Sequence, residues 1–471
     1  MYNKRLPDKR FIKSGSKTDK FLERHLGSRL FTYGSIFKML LPLILDQLFV
    51  CLIGLLTTAM ISSSSQESVS AVSLVGPLYQ MIYAVFSAIS VGGTVIVAQY
   101  KGRGDTDNIR LAAGQIILAT VSVAVLSCLI LIPCAGMLVE KMFGAADPAV
   151  IAKAGDYLIG VAISMIFLSL YMAAFGVFRG LGEAKSCLRL TIIINVIHLA
   201  ASIVFLNIMK LDIIGTTLSL NLARAIGGFI ALWLLIRPKS MVRVRMTHIF
   251  TLNRNMLKSV FRLGIPYAME QIFFNGGGLI VQTFIMYLGT TSVAANAITN
   301  SAVSILFAAG TAAGTLATTV VGQCAGTGDK ELARRYASRM VWLGTVMVLL
   351  SIIVFLPLMS VILKLYQAPP DTLSLIYILI FTVLVPMPFF WSASNVLPNI
   401  LRSTGDSAFT STVSLITMWT IRVGLGYVLT VRLGLGVQGL WLCMGFEWAV
   451  RTCVFYLRYR SGVWLLKKAI D

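Results

Sequence analysis

Two acidic residues stand in apolar stretches of the chain where charge is rare. Asp46 and Glu270 each follow a proline by one helical turn, Pro42 and Pro266 respectively. A charge near the middle of a bilayer costs at least about 2.5 to 3.5 kcal/mol on insertion scales, so such residues are candidates for function. A proline frees a backbone carbonyl in the preceding turn and favours a kink. Each acid therefore combines a carboxylate with a predicted hinge.

The chemistry expected of Asp46 and Glu270 is the reversible capture of a cation. A buried carboxylate can take up a proton, or it can bind Na⁺ together with neighbouring amide and carbonyl oxygens. Either event removes a net charge from a medium of low dielectric constant, so it can couple ion entry to another process. Gln47 and Gln271 follow the two acids directly and could supply ligands if the kinks turn them inward. The alternative is that each acid forms a structural ion pair.

Three further ionisable residues are predicted to lie inside apolar helices. Arg422 and Glu447 lie ten residues on either side of an outer turn predicted at residues 432–437, which places them level on antiparallel neighbours and predicts a salt bridge. Arg224 is predicted to be level with His198 and could pair with Asp46. In that case Glu270 would be the better candidate for ion coupling.

The composition shows what must position these residues. Of 471 residues, 57% are hydrophobic and 13% are charged, and the mean hydropathy is +0.83, which is typical of an integral membrane protein. Charge-free runs predict twelve transmembrane helices. They start near residues 36, 69, 108, 148, 184, 214, 259, 293, 332, 371, 406 and 437. The predicted fold class is an all-α integral membrane protein with two six-helix bundles around a central cleft.

The distribution of basic residues predicts topology and partners. The chain has 40 Lys and Arg against 19 Asp and Glu, a formal charge of +21, but the basic residues crowd into short connections between apolar runs. The surplus therefore indicates cytoplasmic termini and contact with the lipid bilayer, and it argues against nucleic acid as a partner. The seven cysteines form no C-x-x-C pair and the three histidines fit no metal motif. No cofactor and no metal other than a coupling Na⁺ are expected.

The predicted domains follow from this topology. They are a basic cytoplasmic tail at residues 1–35, a first six-helix bundle at 36–237, a basic linker at 238–258, a second bundle at 259–460 and a tail at 461–471. The two bundles repeat each other with a shift of 224 residues, which aligns Pro42 with Pro266 and Asp46 with Glu270. A motif V-x-Q-x-x-G-x-G-D occurs at residues 97–105 and again at 321–329.

Repeats of six spans must enter the membrane the same way round, so an axis along the membrane normal relates them, as in many secondary transporters. The alternative is a duplicated scaffold without transport. At these motifs the chain resembles the multidrug and toxic compound extrusion (MATE) family, particularly its bacterial branches. The similarity covers residues 35–462 and includes G-G-T-V-I-V-A-Q-Y-K-G-R-G-D at 92–105, F-R-G-L-G-E-A-K at 178–185, L-G-I-P-Y-A-M-E-Q at 263–271, L-R-S-T-G-D at 401–406 and E-W-A-V-R at 447–451.

The resemblance implies a monomeric antiporter in the bacterial inner (plasma) membrane. It would export hydrophobic, often cationic, small molecules in exchange for Na⁺ or H⁺. One departure concerns the ion site of the amino-terminal half, because relatives often carry an Asp-Thr pair late in helix 1 where this chain has Leu56 and Thr57. Some relatives also carry an acid in helix 5, where this chain has Leu199, four residues after Asn195. Thr57 and Asn195 remain candidates as neutral ligands.

Aromatic residues in the predicted helices could line a cleft for flat cations, which are attracted to the faces of aromatic rings. The candidates are Tyr83, Phe86, Phe273, Phe274 and Phe389. The alternative is that they pack in the core or at the membrane interface. Two other function classes would require different residues. A flippase for lipid-linked precursors requires a basic cavity for phosphates. A membrane-embedded enzyme requires a nucleophile or a metal cluster, and the sequence presents neither. No enzymatic activity is therefore expected.

Overall fold

The computed structural model describes residues 16–61, 65–144, 146–238, 240, 242–365 and 370–470, and these residues fold into helices joined by short connections. The fifteen α-helices within them are α1 Lys17–Leu26, α2 Tyr33–Ile61, α3 Gln66–Arg103, α4 Thr106–Phe143, α5 Pro148–Leu181, α6 Ala184–Ser202, α7 Asp212–Ile236, α8 Met246–Phe250, α9 Arg254–Met286, α10 Thr290–Gly326, α11 Lys330–Leu365, α12 Pro370–Leu384, α13 Ser392–Ser403, α14 Ser407–Thr417 and α15 Gly436–Ser461. No strand occurs among the described residues, which confirms the all-α prediction.

The long apolar helices account for eleven of the twelve predicted spans. Within the described ranges, ten helices are long and apolar enough to cross a membrane, and the bent pair Thr372–Leu384 and Met387–Ser403 makes an eleventh. The remaining predicted span is α9, which carries Glu270, Gln271 and Asn275 among its apolar residues. These polar residues make α9 the span that composition alone identifies least readily.

Several spans depart from regular α-helix. The tenth span bends by 42° between α12 and α13, where Pro386 and Pro388 remove backbone donors, and a π-helical turn at Met387–Trp391 follows the break. α6 continues as the π-helical segment Ile203–Ile208, and α14 continues through the segments Met418–Leu425 and Val428–Arg432. Such segments are rare and occur frequently at functional sites.

The chain divides into two compact units. The first consists of the residues up to Leu48, Gly102–Gly104 and Met269–Asp471, and the second of Phe49–Lys101 and Asp105–Ala268. The largest buried cluster of the first unit includes Leu306, Phe355, Ile380 and Trp441, whereas Phe86, Met165 and Leu168 belong to a cluster in the second unit. The units switch within α2 and α9 rather than at the basic linker, and the predicted domain boundaries stay predictions.

The repeated G-x-G-D motif forms a tight turn in both halves. Gly104 and Gly328 have φ of +77° and +81°, values that glycine adopts without strain. The carboxylates of Asp105 and Asp329 accept from the backbone N–H groups of Asn108 and Leu332. These two acids therefore cap the N-termini of α4 and α11.

Gly102 of the first motif lies directly against the second motif. A Cβ at Gly102 would be 1.9 Å from the carbonyl oxygen of Gln323 and 2.7 Å from its carbonyl carbon. Both residues are in the first unit. The backbones of Gly102 and Gln323 therefore touch at a position that only glycine can occupy without displacement.

The segment before α2 is tied to the start of α11. The Tyr336 hydroxyl donates to the Leu26 carbonyl at 3.0 Å, and Arg339 donates to the carbonyls of Gly27 and Arg24 at 2.9 and 3.2 Å. Leu26 is buried. The residues around α1 are thus an ordered part of the first unit and not a free tail.

The basic linker is anchored to α4. Gln115 donates from its side chain to the carbonyls of His248 and Thr251 at 3.0 and 2.8 Å and accepts from the Asn253 N–H. Partial burial, with Arg245 and Arg110 nearby, holds the pKa of His248 below its ordinary value. The positive charge of this linker at neutral pH therefore comes from arginine and lysine.

Candidate functional site

Glu270 is held in a buried ion pair in the first unit. Its Oε2 atom accepts from Arg402 Nη2 at 2.5 Å and from the Ser411 hydroxyl at 2.8 Å. Arg402 also donates from Nε to the Thr410 hydroxyl at 3.1 Å. The side chains of Glu270 and Arg402 are 7% and 6% exposed. A carboxylate of this kind is stabilised by its partner only while it remains ionised, so any cation that binds it must compete with Arg402.

A second buried cluster places two arginines on one carboxylate. Arg422 Nε donates to Glu447 Oε2 at 2.6 Å, and Arg451 Nη1 lies 3.5 Å from Glu447 Oε1. Arg451 Nη2 donates to the Ser414 hydroxyl at 3.1 Å. Glu447 is completely buried. The Arg422 guanidinium also stacks on Phe274, 5.0 Å from the ring centroid.

α14 connects the two clusters. Ser411 contacts Glu270 and Ser414 contacts Arg451, and the two serines are three residues apart, which places them on the same face of α14 one turn apart. Arg402 reaches the site from the end of α13, and Glu447 and Arg451 come from one face of α15. Four helices and a π-helical segment thus converge on a polar network inside the first unit.

Arg224 lies in the second unit and has hydroxyl partners. Its Nη1 donates to the Ser164 hydroxyl at 2.6 Å and its Nη2 to the Tyr79 hydroxyl at 2.5 Å, and its guanidinium lies 5.2 Å from the Tyr79 ring centroid. Among the described residues, the structure therefore gives Arg224 two hydroxyl groups rather than the carboxylate that a buried ion pair would require.

The other predicted ion-coupling residues have varied settings. Asp46 is buried at 2% exposure, and Gln47, Gln271 and Asn195 are half-buried. Thr57 lies outside the residues whose side chains the structure describes. The groups that hydrogen-bond to Glu270 are Arg402 and Ser411, neither of which was among the predicted ligands. The assignment of all these residues to ion coupling stays a prediction.

The aromatic candidates for a cleft fall into three groups. Phe86 is fully buried in the core of the second unit, so it packs in the core rather than lining a cleft, contrary to the prediction, and Tyr83 packs partly against the same cluster. Phe273 and Phe389 are 42% and 71% exposed. Phe274 lies under Arg422. Phe273 and Phe274 are therefore the aromatic candidates closest in sequence to the Glu270 site.

Two arginines of the site were visible in the sequence, although the prediction did not include them. Arg451 follows Glu447 by four residues on one helix, a spacing that brings the two side chains together. Arg402 belongs to the motif at residues 401–406 and aligns with Arg179 at a shift of 223. In the part of the chain that the structure describes, no group of three or more His, Cys, Asp or Glu side chains is arranged to hold a metal ion.

Comparison with known families gives two matches on this chain. The family model described as MatE matches residues 42–204 and again residues 266–428. The second match begins 224 residues after the first (266 minus 42), which is the shift of the repeat predicted from the sequence. Together the two matches cover more than half of the chain.

Relatives and solved structures agree with the family match. An uncharacterized transporter, YisQ of Bacillus subtilis, is 25% identical over 92% of this chain and 95% of its own length. A probable multidrug resistance protein, NorM of Thermotoga maritima, is 22% identical over 91% of this chain and 92% of its own length. The structure of an outward-facing multidrug resistance MATE family transporter of the MOP superfamily has a TM-score of 0.83 and 18% identity, covering 91% of this chain and 95% of that one.

Proposed function

The chain belongs to the multidrug and toxic compound extrusion (MATE) family, and from that premise we propose that it is a secondary active antiporter that exports hydrophobic, cationic small molecules in exchange for Na⁺ or H⁺. The observation that carries the proposal is the buried Glu270 carboxylate, paired with Arg402 and Ser411 on a proline-containing span. The proposal places the protein in the plasma membrane as a monomer with both termini in the cytoplasm. It is a transporter and not an enzyme.

The Glu270 and Arg402 pair is the element that ion binding would change. Neutralising Glu270 leaves the Arg402 charge buried without its carboxylate partner, which is costly in a low-dielectric interior. A conformation that offers Arg402 another partner or more water is then favoured, so ion capture shifts the population between conformations. Thr410 already accepts from Arg402 Nε and can hold the side chain while the pair is broken.

The contacts at Glu270 favour a proton over Na⁺ as the coupling ion. A proton can bind a carboxylate oxygen without displacing its neighbours, whereas a metal cation requires several oxygen ligands and repels a guanidinium. With Arg402 Nη2 and the Ser411 hydroxyl both on Oε2, Na⁺ would have to replace Arg402. The flippase alternative is not favoured, because the chain matches the MatE family model and a similar protein, NorM of Thermotoga maritima, is described as a probable multidrug resistance protein.

The experiment is ethidium transport in proteoliposomes under separately imposed gradients of pH and Na⁺. We expect the pH gradient to drive transport and an equal gradient of NaCl against KCl to have no effect. Glu270→Gln should reduce gradient-driven transport by about tenfold or more, because it removes the group that binds the ion. Glu331→Gln makes the same chemical change at an exposed position of α11 and should leave transport unchanged.

Three results would contradict this proposal in whole or in part. Ethidium movement that proceeds equally without any gradient would indicate a channel or leak instead of an antiporter. Transport driven by the Na⁺ gradient alone would still support an antiporter but would show that the coupling ion is Na⁺ and not H⁺. Equal rates of gradient-driven transport in Glu270→Gln and Glu331→Gln would show that Glu270 does not bind the coupling ion.

A further inference from the structure

The Arg422, Glu447 and Arg451 cluster carries more positive than negative charge. Two guanidinium groups share one carboxylate, so the local sum is +1 inside a membrane-spanning bundle. Fully ionised buried groups are normally balanced, because an unbalanced charge has a large desolvation cost. The excess therefore requires a functional explanation.

The hydrogen-bond donors of this cluster also exceed its acceptors. A guanidinium carries five N–H donors and no acceptor. Among the described residues, Arg422 uses Nε on Glu447, and nothing accepts from its two Nη groups. Arg451 Nε is buried and has no hydrogen-bond partner in the same part of the chain. Glu447 Oε1 is buried without a hydrogen-bond partner as well, but the two arginines carry more unused donors than this one acceptor can satisfy.

The side chains of Arg422 and Arg451 are not completely covered. Their side chains are 12% and 13% exposed, while Glu447 between them is completely covered. Phe274 lies beneath Arg422, and Phe273 packs edge to face with Trp419 at 6.5 Å. Arg422 therefore adjoins an aromatic side chain that can contact a flat organic molecule.

We propose that Arg422 and Arg451 bind a carboxylate group of the transported molecule, so that an aromatic cation that also carries a carboxylate is preferred to the same cation without one. The incoming carboxylate brings the charge of the cluster from +1 to zero. Planar guanidinium groups match the geometry of a carboxylate and form charge-assisted hydrogen bonds with it. This inference rests on the proposed transport function and specifies its substrate class.

The test compares two dyes that differ in one group. Rhodamine B carries a cationic ring system and a free carboxylate, and its ethyl ester keeps the ring system and lacks the negative charge. Binding of each dye to the purified full chain in detergent is measured by fluorescence anisotropy. We expect rhodamine B to bind about tenfold more tightly than the ester, equivalent to one charge-assisted contact.

Three variants should change the ratio of the Kd of the ester to the Kd of rhodamine B, two of them downward and one upward. Arg451→Gln and Arg422→Gln should each reduce the ratio of the two Kd values to near one. Glu447→Gln should raise the ratio, because both guanidinium groups then lack their carboxylate. Arg432→Gln is the matched control, since Arg432 follows on the same span but stacks on Tyr427. The rise expected of Glu447→Gln keeps the test decisive even if one arginine variant fails to fold.

The proposal is overturned if the acid and the ester bind the wild-type chain equally, or if the arginine and glutamate variants change the ratio in the same direction. It is also overturned if phosphatidylglycerol displaces rhodamine B, because the arginines would then hold a lipid phosphate. Dye binding in detergent needs no gradient. Failure of gradient-driven ethidium transport with an intact dye preference would therefore count against the proposed antiport and not against this site.

Discussion

Arg402→Gln is expected to lower the free energy of unfolding by about 3 to 5 kcal/mol, the range measured when one partner of a buried ion pair is removed. The variant leaves the Glu270 carboxylate buried with Ser411 as its hydrogen-bond donor among the described residues. A neutral amide cannot balance the remaining charge. For a unit of about 250 residues this corresponds to a fall of roughly 10 °C in apparent Tm. Thermal unfolding of the detergent-purified chain measures it.

The double variant Glu270→Gln with Arg402→Gln separates this effect from lost packing. It leaves neither charge unpaired, so it should be clearly more stable than Arg402→Gln alone. Arg335→Gln is the matched control, because Arg335 is 3.9 Å from Glu331 in an exposed pair of the same unit and should change stability by less than about 1 kcal/mol. A double variant as unstable as the sum of the single ones would show that Glu270 and Arg402 act independently.

The ion pair has a consequence for coupling as well as for stability. If Glu270 were only structural, then the double variant would recover stability and transport together. If Glu270 also binds the coupling ion, stability recovers while gradient-driven transport does not. The same pair of variants therefore distinguishes the two interpretations of this acid that the sequence left open.

The arrangement of spans could be predicted because it depends on local composition. Charge-free runs indicated helices near residues 36, 108 and 437, and the structure begins α2 at Tyr33, α4 at Thr106 and α15 at Gly436. The break between α12 and α13 was missed, although Pro386 and Pro388 mark it, because hydropathy is unchanged across the bend. Counting residues from a predicted outer turn placed Arg422 and Glu447 at the same depth in neighbouring helices. In the structure Arg422 Nε is 2.6 Å from Glu447 Oε2.

The partners of Glu270 could not be predicted in this way. Arg402 and Ser411 are 132 and 141 residues from Glu270 in the chain, so their contact depends on how three helices pack. Spacing along one helix reveals pairs such as Glu447 and Arg451, which are four residues apart. It does not reveal which of several basic residues at helix ends turns inward. The motif at residues 401–406 marked Arg402 as part of the repeat without indicating its partner.

Gly102→Ala is expected to destabilise the protein strongly, although alanine is normally the better helix former by about 1 kcal/mol. Gly102 lies in the last turn of α3, and an added methyl group would overlap the backbone carbonyl of Gln323 at 1.9 Å. A backbone atom cannot rotate away as a side chain can. The last turn of α3 must therefore move away from the second motif, which separates the two copies. Apparent Tm and ethidium transport measure the result.

The direction in which Gly102→Ala changes the apparent Tm is the informative result. Gly76 lies on the same helix, and a Cβ there would meet nothing within 4 Å, so Gly76→Ala should be neutral or slightly stabilising. Opposite signs for two identical substitutions on one helix can come only from their surroundings. Equal effects at Gly76 and Gly102 would mean that the two motifs are not pressed together in the folded protein. A loss confined to Gly102→Ala would support the close contact with the Gln323 backbone as the reason that glycine stands at position 102.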